Sequence, residues 1–225
     1  MSRPARGGEK RNAWTMTDSS SQTHGRLFVI SAPSGAGKTS LVRELVHTDP
    51  SVCFSISYTT RPARNGEVDG RDYHFVSPAR FEEMIAAGEF LEHAEVFGNR
   101  YGTSRRQVEL LMAAGRHVIL EIDWQGAAQV RAAMPACTSV FVLPPSREEL
   151  ERRLRNRATD SDEVIAHRLS EARADMSHWH EFDYVVVNDD FTQALERLRA
   201  IVHGADEAWR SDRPEIAALV RDLLA

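Results

Sequence analysis

Leu27-Phe28-Val29-Ile30, and after it Ala32-Pro33-Ser34-Gly35-Ala36-Gly37-Lys38-Thr39-Ser40, decides how this chain folds. A short apolar run ends in a glycine-rich loop, and residues 38–47 then carry a helical pattern. Strand, glycine-rich loop and helix in that order are the context a phosphate-binding loop needs. Gly35 and Gly37 let backbone N–H groups turn inward around phosphate oxygens. The helix N-terminus adds the positive end of its dipole. Lys38 supplies a point charge to the β- and γ-phosphates, and the Thr39 hydroxyl can ligate Mg2+. The strictest form of the pattern has Gly where Ala32 stands.

Outward from the loop, strand patterns recur at residues 53–58, 89–96, 117–122, 139–143 and 184–187, with helical stretches between them. Ser104 with Gln107, and Ser146 with Glu149, have the spacing of a capping box. Uninterrupted apolar strands such as Val118-Ile119-Leu120 suit a parallel sheet covered on both faces. The expected fold is therefore α/β, a P-loop core with a parallel sheet flanked by helices. Residues 57–103 break the alternation, with short strand-like pieces and one helix at 78–87, and read as an inserted subdomain. Residues 1–24 are polar and aperiodic and are expected to be a disordered extension, with Met16 an alternative start. Residues 205–225 read as a terminal helix interrupted near Pro214, which leaves 25–204 as the main domain.

The chain has 225 residues, 42 % of them hydrophobic and 27 % charged, with a net charge of −5. That balance disfavours a general nucleic-acid binder. The two cysteines, Cys53 and Cys137, have no metal-ligand spacing and suit a reducing compartment. No apolar run is long enough to span a bilayer and no secretory signal is present, so a cytoplasmic location is expected. The oligomeric state, monomer or homo-oligomer, is left open.

A phosphate loop serves switches, motors and kinases alike. No Asn-Lys-x-Asp string for base selection occurs, and a motor ATPase usually needs a longer chain; a small kinase remains. Its acceptor site is sought in the segment from Thr59 to Phe75, where Arg61 and Arg64 lie three apart in a glycine-containing loop. Two such guanidinium groups can fork a phosphate monoester, with the Tyr73 hydroxyl as a further donor. If residues 89–97 are extended, period-two alternation puts Glu92 on one face with Phe90, Ala94 and Val96. A carboxylate on an apolar wall calls for a partner. Guanine offers N1–H and N2–H2 side by side, and hydroxyls of Ser57 and Thr103 can meet its O6. A solvated edge carboxylate is the other reading.

Glu121 lies near the end of the strand 117–122, where a carboxylate can hold Mg2+ through water; the lesser reading is a cap on the following helix. Arg152, Arg153, Arg155 and Arg157 fall within six residues, with Arg153 and Arg157 on one helix face. They are either a solvated face or a source of positive charge for a transferring phosphoryl group.

The strings APSGAGKTS, TTRPARNGEVDGRDYHF, EFLEHAEVFGNRYGTS and LEIDWQGA together resemble the guanylate kinase family over nearly the whole chain, from Arg26 to about His203. The resemblance implies a Mg2+-dependent transfer from ATP to GMP, and to dGMP. It places Ser57, Arg61, Arg64, Tyr73, Glu92, Tyr101, Thr103 and Asp123 at GMP-binding positions. Arg61, Arg64, Tyr73 and Tyr101 would take the phosphate, and Glu92, Ser57 and Thr103 the base. Residues 152–170 would form a lid whose Arg153, Arg157 and Arg168 close over ATP, and Asn188 would lie on the adenine side. A proline more often found before the second arginine stands here after Arg61, and Ala158 stands where glycine commonly follows Arg157. Lys38, Thr39 and the lid arginines argue against a catalytically inactive phosphopeptide-binding scaffold. Ser57, Glu92 and Thr103 argue against another acceptor, such as a phosphorylated sugar.

Overall fold

The computed structural model describes residues 24–96, 98–155, 162–204 and 207–224. The five residues of β1 (Leu27–Ser31) are all buried, as a strand with a neighbour on each edge and helices on each face must be. β1 pairs in parallel with β7 (His117–Glu121) on one side and β8 (Thr138–Leu143) on the other. β2 (Val52–Phe54) extends the sheet beyond β7, and β9 (Tyr184–Val187) extends it beyond β8. The order β2-β7-β1-β8-β9 makes the carboxyl end of β1 the point where successive connections part to opposite sides, the usual place for a ligand in such a sheet.

Side chains of the central strands alternate between two cores. Phe28, Ile30, Ile119, Val140 and Val186 face α1 (Lys38–Thr48) and α7 (Phe191–His203). Val29, Val118, Leu120, Phe141 and Val185 face the opposite layer. That layer holds α3 (Arg105–Ala113), α4 (Trp124–Ala133), α5 (Arg147–Arg155), α6 (Asp162–Met176) and α8 (Pro214–Leu224). The helix α8 begins at Pro214 and is not interrupted by it, since proline suits a first turn whose N–H is unpaired in any case. Its Ile216, Val220 and Leu223 are spaced to bury one stripe in that core.

The insert forms a second sheet in the order β4-β3-β6-β5, built from β3 (Tyr58–Thr59), β4 (His74–Phe75), β5 (Phe90–Val96) and β6 (Asn99–Ser104). Its own small core joins Phe90 to Phe81 and Met84 of α2 (Pro78–Ala86). Gln129 of α4 covers the edge of β5, accepting from the His93 N–H and donating to the His93 carbonyl. The single strand expected at 53–58 is two strands in two sheets, because the chain leaves the parallel sheet after Phe54 and enters the insert at Tyr58. Both expected capping boxes are half-formed: Ser104 and Ser146 accept from the N–H three residues on. The side chain of Gln107 turns to Ser55 and His74, and that of Glu149 to Arg152 and Arg153.

Candidate active site

Gly35 and Gly37 have φ of 89° and 91°, a region that side chains with a Cβ enter only at a cost. A Cβ on Gly37 would also stand 2.4 Å from the Asn188 amide nitrogen. The loop thus turns tightly into α1, whose N-cap is Gly37 with no side-chain hydrogen bond. Helices α2, α3, α4 and α7 are all capped by a side chain, those of Ser77, Ser104, Asp123 and Asp190. The first-turn N–H groups of α1 are left for an anion.

The underside of the loop is held firmly. Asn188, 6 % exposed at the end of β9, donates its Nδ2 to the Ala36 carbonyl at 2.7 Å. Arg153 donates to the carbonyls of Ala36 and Asn188 at 3.3 and 3.0 Å, and its Nε is fixed by Glu149 at 2.7 Å. Asn188 therefore serves as a strut under the loop, a role the sequence did not suggest. Lys38 donates its Nζ to the Ile122 carbonyl at 3.0 Å. Burial lowers its pKa, while the charges of Glu121, Asp123 and Asp175 oppose that shift. The Thr39 hydroxyl donates to the Glu121 carboxylate. These are hard oxygen donors of the kind Mg2+ selects. Among the described residues no three His, Cys, Asp or Glu side chains gather into a metal cage, so an ion beside Thr39 would draw most of its ligands from phosphate and water.

A cleft of about 340 Å3 separates the insert from the main sheet; Ser57, Tyr73 and Thr103 line one wall and Glu121 the other. Glu92 adjoins it, 6 % exposed, accepting the Thr103 hydroxyl at 2.6 Å. Burial raises the Glu92 pKa, and the charge of Asp123 adds to the shift. Asp123 both caps α4, accepting from the Gly126 N–H at 2.7 Å, and faces Glu92. The expected alternation along β5 does not hold: the register slips between Phe90 and Glu92. Phe90 joins the small core of the insert, Leu91 the main core, and Glu92 pairs with Thr103. A bulge of this kind re-aims a side chain.

Arg61 meets Glu67 bidentately at 3.0 and 2.9 Å, lies over the Tyr73 ring at 5.3 Å, and also donates to the Tyr101 hydroxyl. Arg61, Tyr73 and Tyr101 thus come together, while Arg64 is exposed and its guanidinium makes no hydrogen bond or ion pair with a described residue. Arg168 is half-buried on α6 and, like Arg64, borders neither this cleft nor the one over the phosphate loop. Arg157 lies outside the described residues.

The sequence reading missed Arg43 and Arg71, which line the cleft beside the insert; Arg43 was legible as the i,i+4 neighbour of Thr39. Asp175, on α6, reaches the surroundings of Lys38, and no local pattern announces that.

Comparisons with known proteins identify the family. The family model described as guanylate kinase matches residues 24–205. A guanylate kinase from Alkalilimnicola ehrlichii is 58 % identical over 89 % of this chain and 98 % of its own length. One from Methylococcus capsulatus is 56 % identical over 90 % and 99 %. The crystal structure of guanylate kinase from Anaplasma phagocytophilum superposes with a TM-score of 0.64 at 34 % identity, covering 86 % of this chain and 94 % of that one. With a family model over residues 24–205 and relatives more than half identical over nearly their whole length, the chain belongs to the guanylate kinase family.

Proposed function

We propose that the chain transfers the terminal phosphate of ATP directly to the phosphate of GMP, giving ADP and GDP. The observation that carries this is the placement of Glu92 and Thr103 beside a cleft whose far wall, Glu121, touches Thr39 of the phosphate loop. A buried carboxylate there can accept guanine N1–H and N2–H2 together, while adenine has no such donor pair. The acceptor oxygen belongs to an ionised phosphate, so no general base is required. Transfer then depends on positioning and on positive charge at the equatorial oxygens.

In this reading Ala32 to Ser40 cradle the donor phosphates, with Lys38 the charge nearest the transferred group. Arg153 serves the donor side, Arg157 and Arg168 would join it when the lid closes, and Asn188 keeps the loop in shape. Arg61, Arg64, Tyr73 and Tyr101 hold the GMP phosphate; Ser57, Glu92, Thr103 and Asp123 hold its nucleoside. Thr39, and Glu121 through water, would hold Mg2+, which when bound supplies positive charge at the donor phosphates. Residues 57–103 act as the GMP-binding insert and 152–170 as the lid. The described residues contain no helix long and apolar enough to cross a membrane.

The test is ADP formation from ATP with GMP, dGMP, AMP, UMP and CMP as acceptors. Turnover confined to the guanine nucleotides supports the reading, and equal turnover with AMP overturns it.

A further inference from the structure

The cleft of about 480 Å3 over the phosphate loop runs from Gly35, Gly37 and Ser40 to Asp189, Asp190 and Phe191. The proposed function accounts for the end that takes the phosphates. At the other end stands Phe191, 43 % exposed. Five large apolar side chains are exposed among the described residues: Val68, Val96, Leu110, Val164 and Phe191. Phe191 alone of these is aromatic, and it alone borders this cleft.

The ring is not among the residues its own helix buries. It is the first residue of α7, whose buried residues are Ala194, Leu195, Leu198, Ile201 and Val202. Its backbone is nonetheless rigid. Asp190 accepts the Gln193 N–H at 2.9 Å, and Asp189 holds Arg197 at 3.0 Å while accepting the Asp190 N–H at 2.9 Å. One carboxylate oxygen of Asp189, one of Asp190 and the Asn188 Nδ2 are thereby committed to caps and struts. Beside them the exposed ring of Phe191 offers a planar heterocycle an apolar surface. Aromatic faces bind bases by stacking, which needs no hydrogen-bond pattern.

We propose that Phe191 is the platform on which the base of the donor nucleoside triphosphate stacks. The proposal rests on reading this cleft as the donor site. A triphosphate seated in the loop then has two fixed ends, its phosphates on α1 and its base against the start of α7.

The test uses the full chain with Phe191→Ala and Phe191→Trp, and two donors: ATP and ribose 5′-triphosphate, which lacks a base. Loss of one base–aromatic stack is expected to raise the KM and the equilibrium Kd for ATP roughly 5- to 100-fold. The tryptophan variant should recover most of that loss, with the KM for GMP and the melting temperature unchanged in both variants. Ribose 5′-triphosphate should be used equally well by wild type and Phe191→Ala. An unchanged Kd for ATP overturns the proposal. An equal loss with the abasic donor overturns it too, because the ring would then be acting on the loop. If wild type binds ATP in a Phe191-dependent way yet fails to phosphorylate GMP, this inference stands and the proposed acceptor falls.

Discussion

Replacing Glu92 by glutamine separates what this side chain does for the fold from what it does for the ligand. Its carboxyl is buried, accepts the Thr103 hydroxyl at 2.6 Å and faces Asp123. The amide has the same shape without the charge, so it escapes the desolvation cost. A gain of about 1 kcal/mol would raise Tm by about 2–4 °C in a chain of this size. The pH dependence follows from the direction of the shift. Burial raises the folded pKa above the ordinary 4.5. Between the two values the folded state holds a proton that the unfolded chain has lost, so wild type loses stability as pH rises through that window. The glutamine advantage is complete above the folded pKa and vanishes below about 4.5. Binding moves the opposite way. Charge-assisted hydrogen bonds are worth about 1.5–3 kcal/mol each, and the amide keeps one acceptor while turning an N–H2 toward a guanine donor. A net loss of about 2–4 kcal/mol corresponds to a rise of roughly 30- to 1,000-fold in the KM for GMP. The assay varies GMP at saturating ATP, then ATP at saturating GMP, alongside melts at pH 5 and pH 8. An equal rise for both substrates, or a lower Tm at pH 8, would refute the reasoning.

Lys38→Ala is expected to lower kcat by roughly a hundredfold or more, as loss of a charge aimed at the transferring group does; near-normal turnover would remove Lys38 from the chemistry. Asn188→Ala removes the 2.7 Å bond to the Ala36 carbonyl and should cost about 1–3 kcal/mol. The KM for ATP should rise about tenfold with that of GMP nearly constant, and an unchanged ATP KM would show that the loop holds its shape without the strut. Asp49 pays for its burial with hydrogen bonds from Ser51 and His203, which hold its pKa down to about 2. Its contribution is present above the ordinary 3.8 and lost as pH falls through about 2. Asp49→Asn should therefore cost about 2 kcal/mol at pH 7, with the gap to wild type closing between pH 4 and pH 2; a gap constant over that range would sink the assignment.

What could be read from the sequence was what local chemistry decides. Val118-Ile119-Leu120 reads as a two-sided buried strand because both its faces are covered, and the loop reads as a phosphate cradle because its glycines, Lys38 and Thr39 are contiguous. The bulge at Leu91 was invisible, since a pattern of period two has no place for an extra residue. The merged strand at 53–58 fails for a related reason: apolar and polar residues go on alternating while the backbone changes partners. Asp175 and Phe191 reach the site only because α6 and β9 carry them back to it, and that is information about the sheet order, which no window of sequence contains.

In the proposed function the cations of the donor and acceptor sides are held in different ways, and the difference bears on how the site would fill. On the donor side Lys38 and two guanidinium nitrogens of Arg153 rest on carbonyls of Ile122, Ala36 and Asn188. A carbonyl is a neutral acceptor, so an arriving triphosphate outcompetes it without breaking an ion pair. Arg153 keeps its Nε on Glu149 meanwhile, so the guanidinium can pivot about that contact. On the acceptor side Arg61 is locked bidentately to Glu67, which also accepts the Arg64 backbone N–H. A phosphate arriving there meets a guanidinium already oriented, with part of its charge offset by the carboxylate. Arg64, exposed, has the larger entropy to lose on engaging it. On that reading the donor side would gain from N–H groups that leave carbonyls for phosphate, and the acceptor side from orientation fixed beforehand. Removing Glu67 should accordingly loosen GMP binding even though it takes a negative charge away from the phosphate's path.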